Sequence, residues 1–121
     1  DDFIKICENT TGQDALKEMK SLEHTEAYVL NEQGRLLGKL SIHAAIEYSD
    51  APVKEALDSQ PMVLYNDEPL DQAMQKVSQF VGESLPIVFR DTGVMLGSIT
   101  EGELFQAVID IQTKSRNLER D

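Results

Sequence analysis

The chain has 121 residues, 40% of them apolar, enough for one hydrophobic core but not for two independent domains. Acidic residues outnumber lysine and arginine 22 to 11, so the formal charge of −11 repels phosphate backbones and anionic lipid, and no nucleic acid partner is expected. No apolar run approaches the ~20 residues of a membrane-spanning helix, so no direct membrane insertion is expected of this segment, and the single cysteine, Cys7, forbids an intrachain disulfide and suits a reducing compartment.

Asp1 and Asp2 stand directly before an apolar strand, Phe3 to Cys7, with no initiator Met, a start expected of a piece excised from a longer protein. Cys7 is expected there as a small buried hydrophobe. Ala15, Leu16, Met19 and Leu22 then follow the i, i+1, i+4, i+7 spacing of one helix face. Ala27 to Leu30 and Leu36 to Leu40 form a hairpin around Gly34, and Ser41 opens a helix from Ile42 to Tyr48. Asp50-Ala51-Pro52 breaks the chain, Val53 to Leu57 reads as a short helix, and Asp58-Ser59-Gln60-Pro61 ends it. The order then recurs: a strand from Met62 to Tyr65, a helix with Ala73, Met74, Val77 and Phe80 on one face, a hairpin around Gly93, and Thr100 opening a helix from Glu101 to Gln112. Leu104, Phe105, Val108 and Ile109 form the apolar face of that last helix, and the charged tail is expected to fray.

This recurrence is an internal repeat. Residues 27–41 align with 86–100 at an offset of 59, and the two upstream helices align at 58, which places a one-residue insertion between helix and hairpin. The expected fold is therefore α/β (α+β): two pseudo-symmetric β-α-β-β-α repeats packed as one domain about a pseudo-two-fold axis, with a cleft between the copies. Residues 1–48 form the first repeat, 49–61 a linker with a short helix, 62–113 the second repeat and 114–121 the tail.

A repeat of about sixty residues with this element order, the strand Leu85-Pro86-Ile87-Val88, and Gly97-Ser98-Ile99-Thr100 leading into a helix resembles the cystathionine-β-synthase (CBS) domain, which usually occurs in tandem. The likeness covers nearly the whole chain. The family hallmark runs glycine, two mostly apolar positions, Ser or Thr, two variable positions and Asp; Gly38 to Ala44 and Gly97 to Glu103 match it except at the aspartate. Phe80 to Val88, Thr100 to Phe105 and the polar tail further resemble the cytoplasmic carboxyl end of bacterial ClC chloride channels or antiporters. Gly38-Lys39-Leu40-Ser41-Ile42 is also similar to the pair that ends the ATPase subunit of osmoregulatory glycine-betaine importers, where an acidic surface would read ionic strength.

The resemblance implies a regulatory module, not an enzyme, on the cytoplasmic side of the inner membrane and joined to a transporter in the same polypeptide. It implies a homodimer and AMP, ADP or ATP as the candidate ligand. The site residues it implies are Ser41 and Thr100 toward phosphate, Glu103 toward the ribose hydroxyls, Tyr28 and Ile87 beside the adenine, and His43 near a phosphate; Ala44 offers the ribose no side-chain acceptor. A helix N-terminus suits an anion, because its first amides are unpaired. Each residue also has a structural reading. Thr100-x-x-Glu103 is a capping box, Tyr28 and Ile87 are ordinary strand residues, and His43 is a solvated helix-start residue. A ligand-free dimerisation element is the corresponding alternative for the whole chain. His24 has no partner at metal-ligand spacing, so no zinc site is expected, and no nucleophile sits beside a base. Acidic pairs such as Asp67-Glu68 and Glu101/Glu103 stand at helix starts, where the macrodipole favours them.

Overall fold

The computed structural model describes residues 4–80 and 82–119, with side chains through Lys114. Phe3, at the start of the predicted first strand, and the tail side chains beyond Lys114 lie outside the described residues. The first repeat contains β1 (Lys5–Cys7), α1 (Gly12–Ser21), β2 (Glu26–Leu30), β3 (Leu36–Ser41) and α2 (Ile42–Glu47). A single 3-10 turn (Val53–Glu55) follows, and the second repeat contains β4 (Leu64–Tyr65), α3 (Leu70–Ser78), β5 (Leu85–Val88), β6 (Met95–Ile99) and α4 (Glu101–Glu119). Each repeat forms its own three-stranded sheet, β1-β2-β3 and β4-β5-β6, with a parallel pair followed by an antiparallel hairpin.

Register fixes where the inserted residue lies. Val29 faces Gly38 and Ile87 faces Gly97, so β5 corresponds to β2 at an offset of 58 while β6 corresponds to β3 at 59. The extra residue is in the second hairpin turn, not between helix and hairpin as the alignment suggests. Ile87 is therefore the counterpart of Val29, and Tyr28 is the counterpart of Pro86. A period-2 strand tolerates no slip once one face is buried, so the turn absorbs the insertion. Gly34 and Gly93 close the turns at φ 80° and 78°, the left-handed region that glycine enters without Cβ strain.

The sheets meet at these turns. Arg35 and Val94 form an antiparallel bridge, Leu36 N donates to Gly93 O, and Met95 N donates to Gly34 O. Arg35 and Val94 are equivalent at the offset of 59, and the same offset turns one of the two hydrogen bonds into the other, so the pseudo-two-fold axis passes between Arg35 and Val94. At the opposite end of the hairpins Thr25 meets Glu83, again equivalent positions. The first core packs Ile4, Ile6, Ala15, Met19, Val29 and Leu40 with Val53 of the linker; the second packs Leu64, Ala73, Val77, Leu85 and Leu104.

Several sequence expectations are corrected. Cys7 is exposed, because β1 pairs only with β2 and its alternation turns Ile6 inward and Lys5 and Cys7 outward. Leu22 lies past the end of α1 and is 55% exposed, because Glu23 takes a left-handed conformation (φ 58°) that turns the chain away from the helix. The linker helix is one 3-10 turn that stops at Glu55, and β4 is only two residues long. Helix α4 continues to Glu119 instead of ending at Gln112, and Phe105 and Ile109 on its apolar face are 57% and 39% exposed.

Candidate functional site

Ser41 ends β3 in extended conformation, and its Oγ accepts the Ala44 amide at 3.1 Å, so the hydroxyl serves as the cap of α2. In the second repeat the capping box forms in full: Glu103 N donates to Thr100 Oγ1 at 3.1 Å and Thr100 N donates to Glu103 Oε1 at 3.0 Å. The bond from the Thr100 amide holds the Glu103 carboxyl below the ordinary glutamate range. The carboxylate proposed for ribose is engaged by its own helix. Ser41, His43, Thr100 and Glu103 are exposed.

Tyr28 is 2% exposed, and its hydroxyl lies 2.5 Å from Ser84 Oγ across the repeat boundary. Burial pushes its pKa up to about 12, so the phenol stays neutral. Ile87 is half-buried and packs against the second core. Among the described residues, none of the six predicted residues lines either of the two cavities described below.

One of those cavities, about 240 Å³, is lined by Glu26, Lys39, Asp58, Pro61, Met62, Gln79 and Phe80. Lys39 is 9% exposed, yet its ammonium is satisfied: Nζ donates to the Ser84 carbonyl at 3.0 Å, lies 3.3 Å from Glu26 Oε1, and sits 4.7 Å from the Phe80 ring centroid and 5.7 Å from that of Tyr28. Glu26 Oε1 also accepts the Glu83 amide at 2.9 Å. Glu83 in turn takes the Thr25 hydroxyl and amide on Oε2, and the His24 Nδ1 lies 3.0 Å from its Oε1. Burial pushes the Glu83 carboxyl up, but its bonds from Thr25 and His24 outweigh that and hold it below the ordinary range. A charged network thus joins the halves along the cavity. Sequence reasoning missed Lys39, Glu26, Phe80 and Glu83. The available signal was Lys39, a charge at a position where the hallmark is mostly apolar.

The second cavity, about 340 Å³, opens between β3 and the β4–β5 pair, with Leu36, Val63, Val88, Tyr65 and Arg90 among its lining residues. Among the described residues no cluster of His, Cys, Asp and Glu is arranged to hold a metal ion, and no helix is long and apolar enough to cross a membrane.

The family is settled by comparison: the CBS domain model matches residues 1–51 and 53–110, and the chain belongs to the CBS domain family as a tandem pair. In sequence it is 28% identical over 105 residues to the A-adding tRNA nucleotidyltransferase of Aquifex aeolicus, a match that covers 84% of this chain and 12% of that protein. In structure it is similar to Staphylococcus aureus OpuCA (TM-score 0.75, 20% identity, 89% of this chain and 93% of that one). It is also similar to the cytosolic domain of the Mg2+ channel MgtE in complex with ATP (TM-score 0.74, 20% identity, 88% of this chain and 45% of that one). A third match is CBSX2 from Arabidopsis thaliana in complex with AMP (TM-score 0.74, 20% identity, 92% and 90%).

Proposed function

We propose that this CBS pair is a regulatory module that senses an adenine nucleotide in the cavity around Lys39 and serves a membrane transporter from the cytoplasmic side of the inner membrane, without catalytic activity of its own. The observation that carries the reading is the buried Lys39 ammonium beside the Phe80 ring, in a cavity that both repeats and the linker line. An ammonium held in low dielectric attracts a phosphate, and an aromatic face accepts a base. A nucleotide there would compete with Glu26 for Lys39 and loosen or tighten the network through Glu83, biasing the relative orientation of the repeats by no more than its differential affinity. ATP in the MgtE complex and AMP in the CBSX2 complex support this ligand class.

The host we propose is a ClC-type chloride transporter, on the sequence features of residues 80–105 and the polar tail; the MgtE match supports a transporter host in general terms. The similarity to OpuCA over most of both chains favours the importer-type host as the second choice. Exposed Phe105, Ile109 and Ile111 on α4 support a homodimer. The ligand-free scaffold is the second reading of the module itself, and the completed Thr100–Glu103 capping box favours it, because it engages the predicted ribose acceptor.

Thermal unfolding with and without millimolar ATP, ADP and AMP tests the choice. A nucleotide at 100 times its Kd adds about 2.7 kcal/mol and raises the midpoint by several degrees. Lys39→Met keeps the fold and abolishes the rise. Absence of a rise with every nucleotide establishes the scaffold reading instead.

A further inference from the structure

We propose that the second cavity is a separate binding site for a small organic anion, a compact apolar body bearing one carboxylate-like group, with Arg90 as the residue that receives the charge. The cavity has about 340 Å³, near the lower end of the ~300–1,000 Å³ typical of ligand pockets. Leu36 of the first repeat and Val63 and Val88 of the second give it apolar walls, and Ser59 and Gln60 of the linker stand at its polar side.

Arg90 is held in place. Its Nε donates to Asp67 Oδ1 at 2.9 Å, its guanidinium lies 4.1 Å from the Tyr65 ring centroid, and its amide donates to Asn66 Oδ1. Asp67 engages one donor of a planar fork of five, and among the described residues the Nη groups have no acceptor. A fork with a stacked face and free outer donors matches a carboxylate in two parallel bonds. The overall charge of −11 disfavours polyanions, which leaves a singly charged ligand as the better fit.

The fold does not require this arrangement. By register the counterpart of Tyr65 is Cys7, and the first hairpin turn that corresponds to Arg90 carries Asn31 and Glu32, yet the first repeat folds alike. The cavity is also distinct from the one around Lys39. The linker runs between them, with Asp58 lining one and Ser59 and Gln60 lining the other, and among the described residues Pro61 alone lines both. An occupant would touch both repeats and the linker, so it would bias their orientation independently of a nucleotide.

The test is an amide NMR titration of the 121-residue chain with benzoate, inorganic phosphate and AMP, reading Leu37, Gln60 and Gly93. Benzoate is expected to shift these amides saturably, and Arg90→Gln to weaken it at least roughly tenfold, the loss of a charge-assisted bond, with the remaining spectrum unchanged. Arg90→Lys falls between the two. No saturation by benzoate well above millimolar concentration, or equal binding by Arg90→Gln, overturns the site. Equal binding of inorganic phosphate overturns the ligand class. AMP that shifts Gln60 and Gly93 together with Met62 and Phe80 overturns the separation of the two sites, AMP confined to Gln60 and Gly93 overturns the ligand class, and AMP confined to Met62 and Phe80 upholds both.

Discussion

The two repeats share a pattern and differ in how they are closed. The first core is completed by the linker: Val53 is fully buried in it, Ala56 and Leu57 pack against it, and Thr11 bridges to Pro52. Asp58 extends the closure by exchanging both backbone bonds with Lys39, so the linker adds a short strand segment to β3. Among the described residues the second repeat has no such strap. Ala73, Val77 and Leu64 each retain about 5% exposure, α3 begins at Pro69 without a side-chain cap, and α4 runs on with large apolar residues exposed. Duplicated sequence gives duplicated topology, and the segment between the copies decides which copy is sealed.

The largest test of this asymmetry compares equivalent core residues. Leu40→Ala, at a fully buried site, should cost about 2–5 kcal/mol, and Ile99→Ala, its partly buried counterpart, about half that, measured by urea unfolding. Equal losses would show the two cores to be closed equally well.

Glycines sharpen the contrast. A Cβ on Gly12 would stand 2.4 Å from the Ala45 carbonyl oxygen and 2.5 Å from that of Tyr48, so Gly12→Ala must push α1 from α2 and should cost about 1–3 kcal/mol. Gly102→Ala meets nothing within 4 Å and should stabilise α4 by about 0.5–1 kcal/mol. Thermal midpoints moving in opposite directions is the expected outcome.

The caps come next. Ser41→Ala and Thr100→Ala should each cost about 1 kcal/mol. Any nucleotide-induced rise in the midpoint should survive both if the hydroxyls act as caps alone, and should fall with the one that meets phosphate.

The smallest expected effect is the acid limb of stability. Glu83 has a folded pKa below its unfolded value, so its contribution is fully present above the ordinary glutamate range and is lost as pH falls through the lowered folded value. Glu83→Gln should flatten that part of a stability–pH curve, and the partial exposure of the His24–Glu83 pair keeps the change modest.

Much of this was legible in order along the chain. Most helix-face positions, the hairpin glycines and the Thr100–Glu103 box are local patterns that the structure contains, since spacing and cap chemistry act within a few residues; Leu22, Phe105 and Ile109 are the exposed exceptions. The cavities between the repeats were not legible, because Lys39, Glu26, Phe80 and Glu83 become neighbours only when the halves close.

The sequence by itself determined the repeat, its β-α-β-β-α order and the CBS family, because hydrophobic period and turn residues encode local geometry directly. Tertiary structure alone decided that the inserted residue lies in the second hairpin turn, that Cys7 faces outward, and that Lys39 and Arg90 each stand at a cavity between the repeats. Those outcomes depend on strand register and on which surfaces the linker covers, and both are set by contacts between residues far apart in the chain.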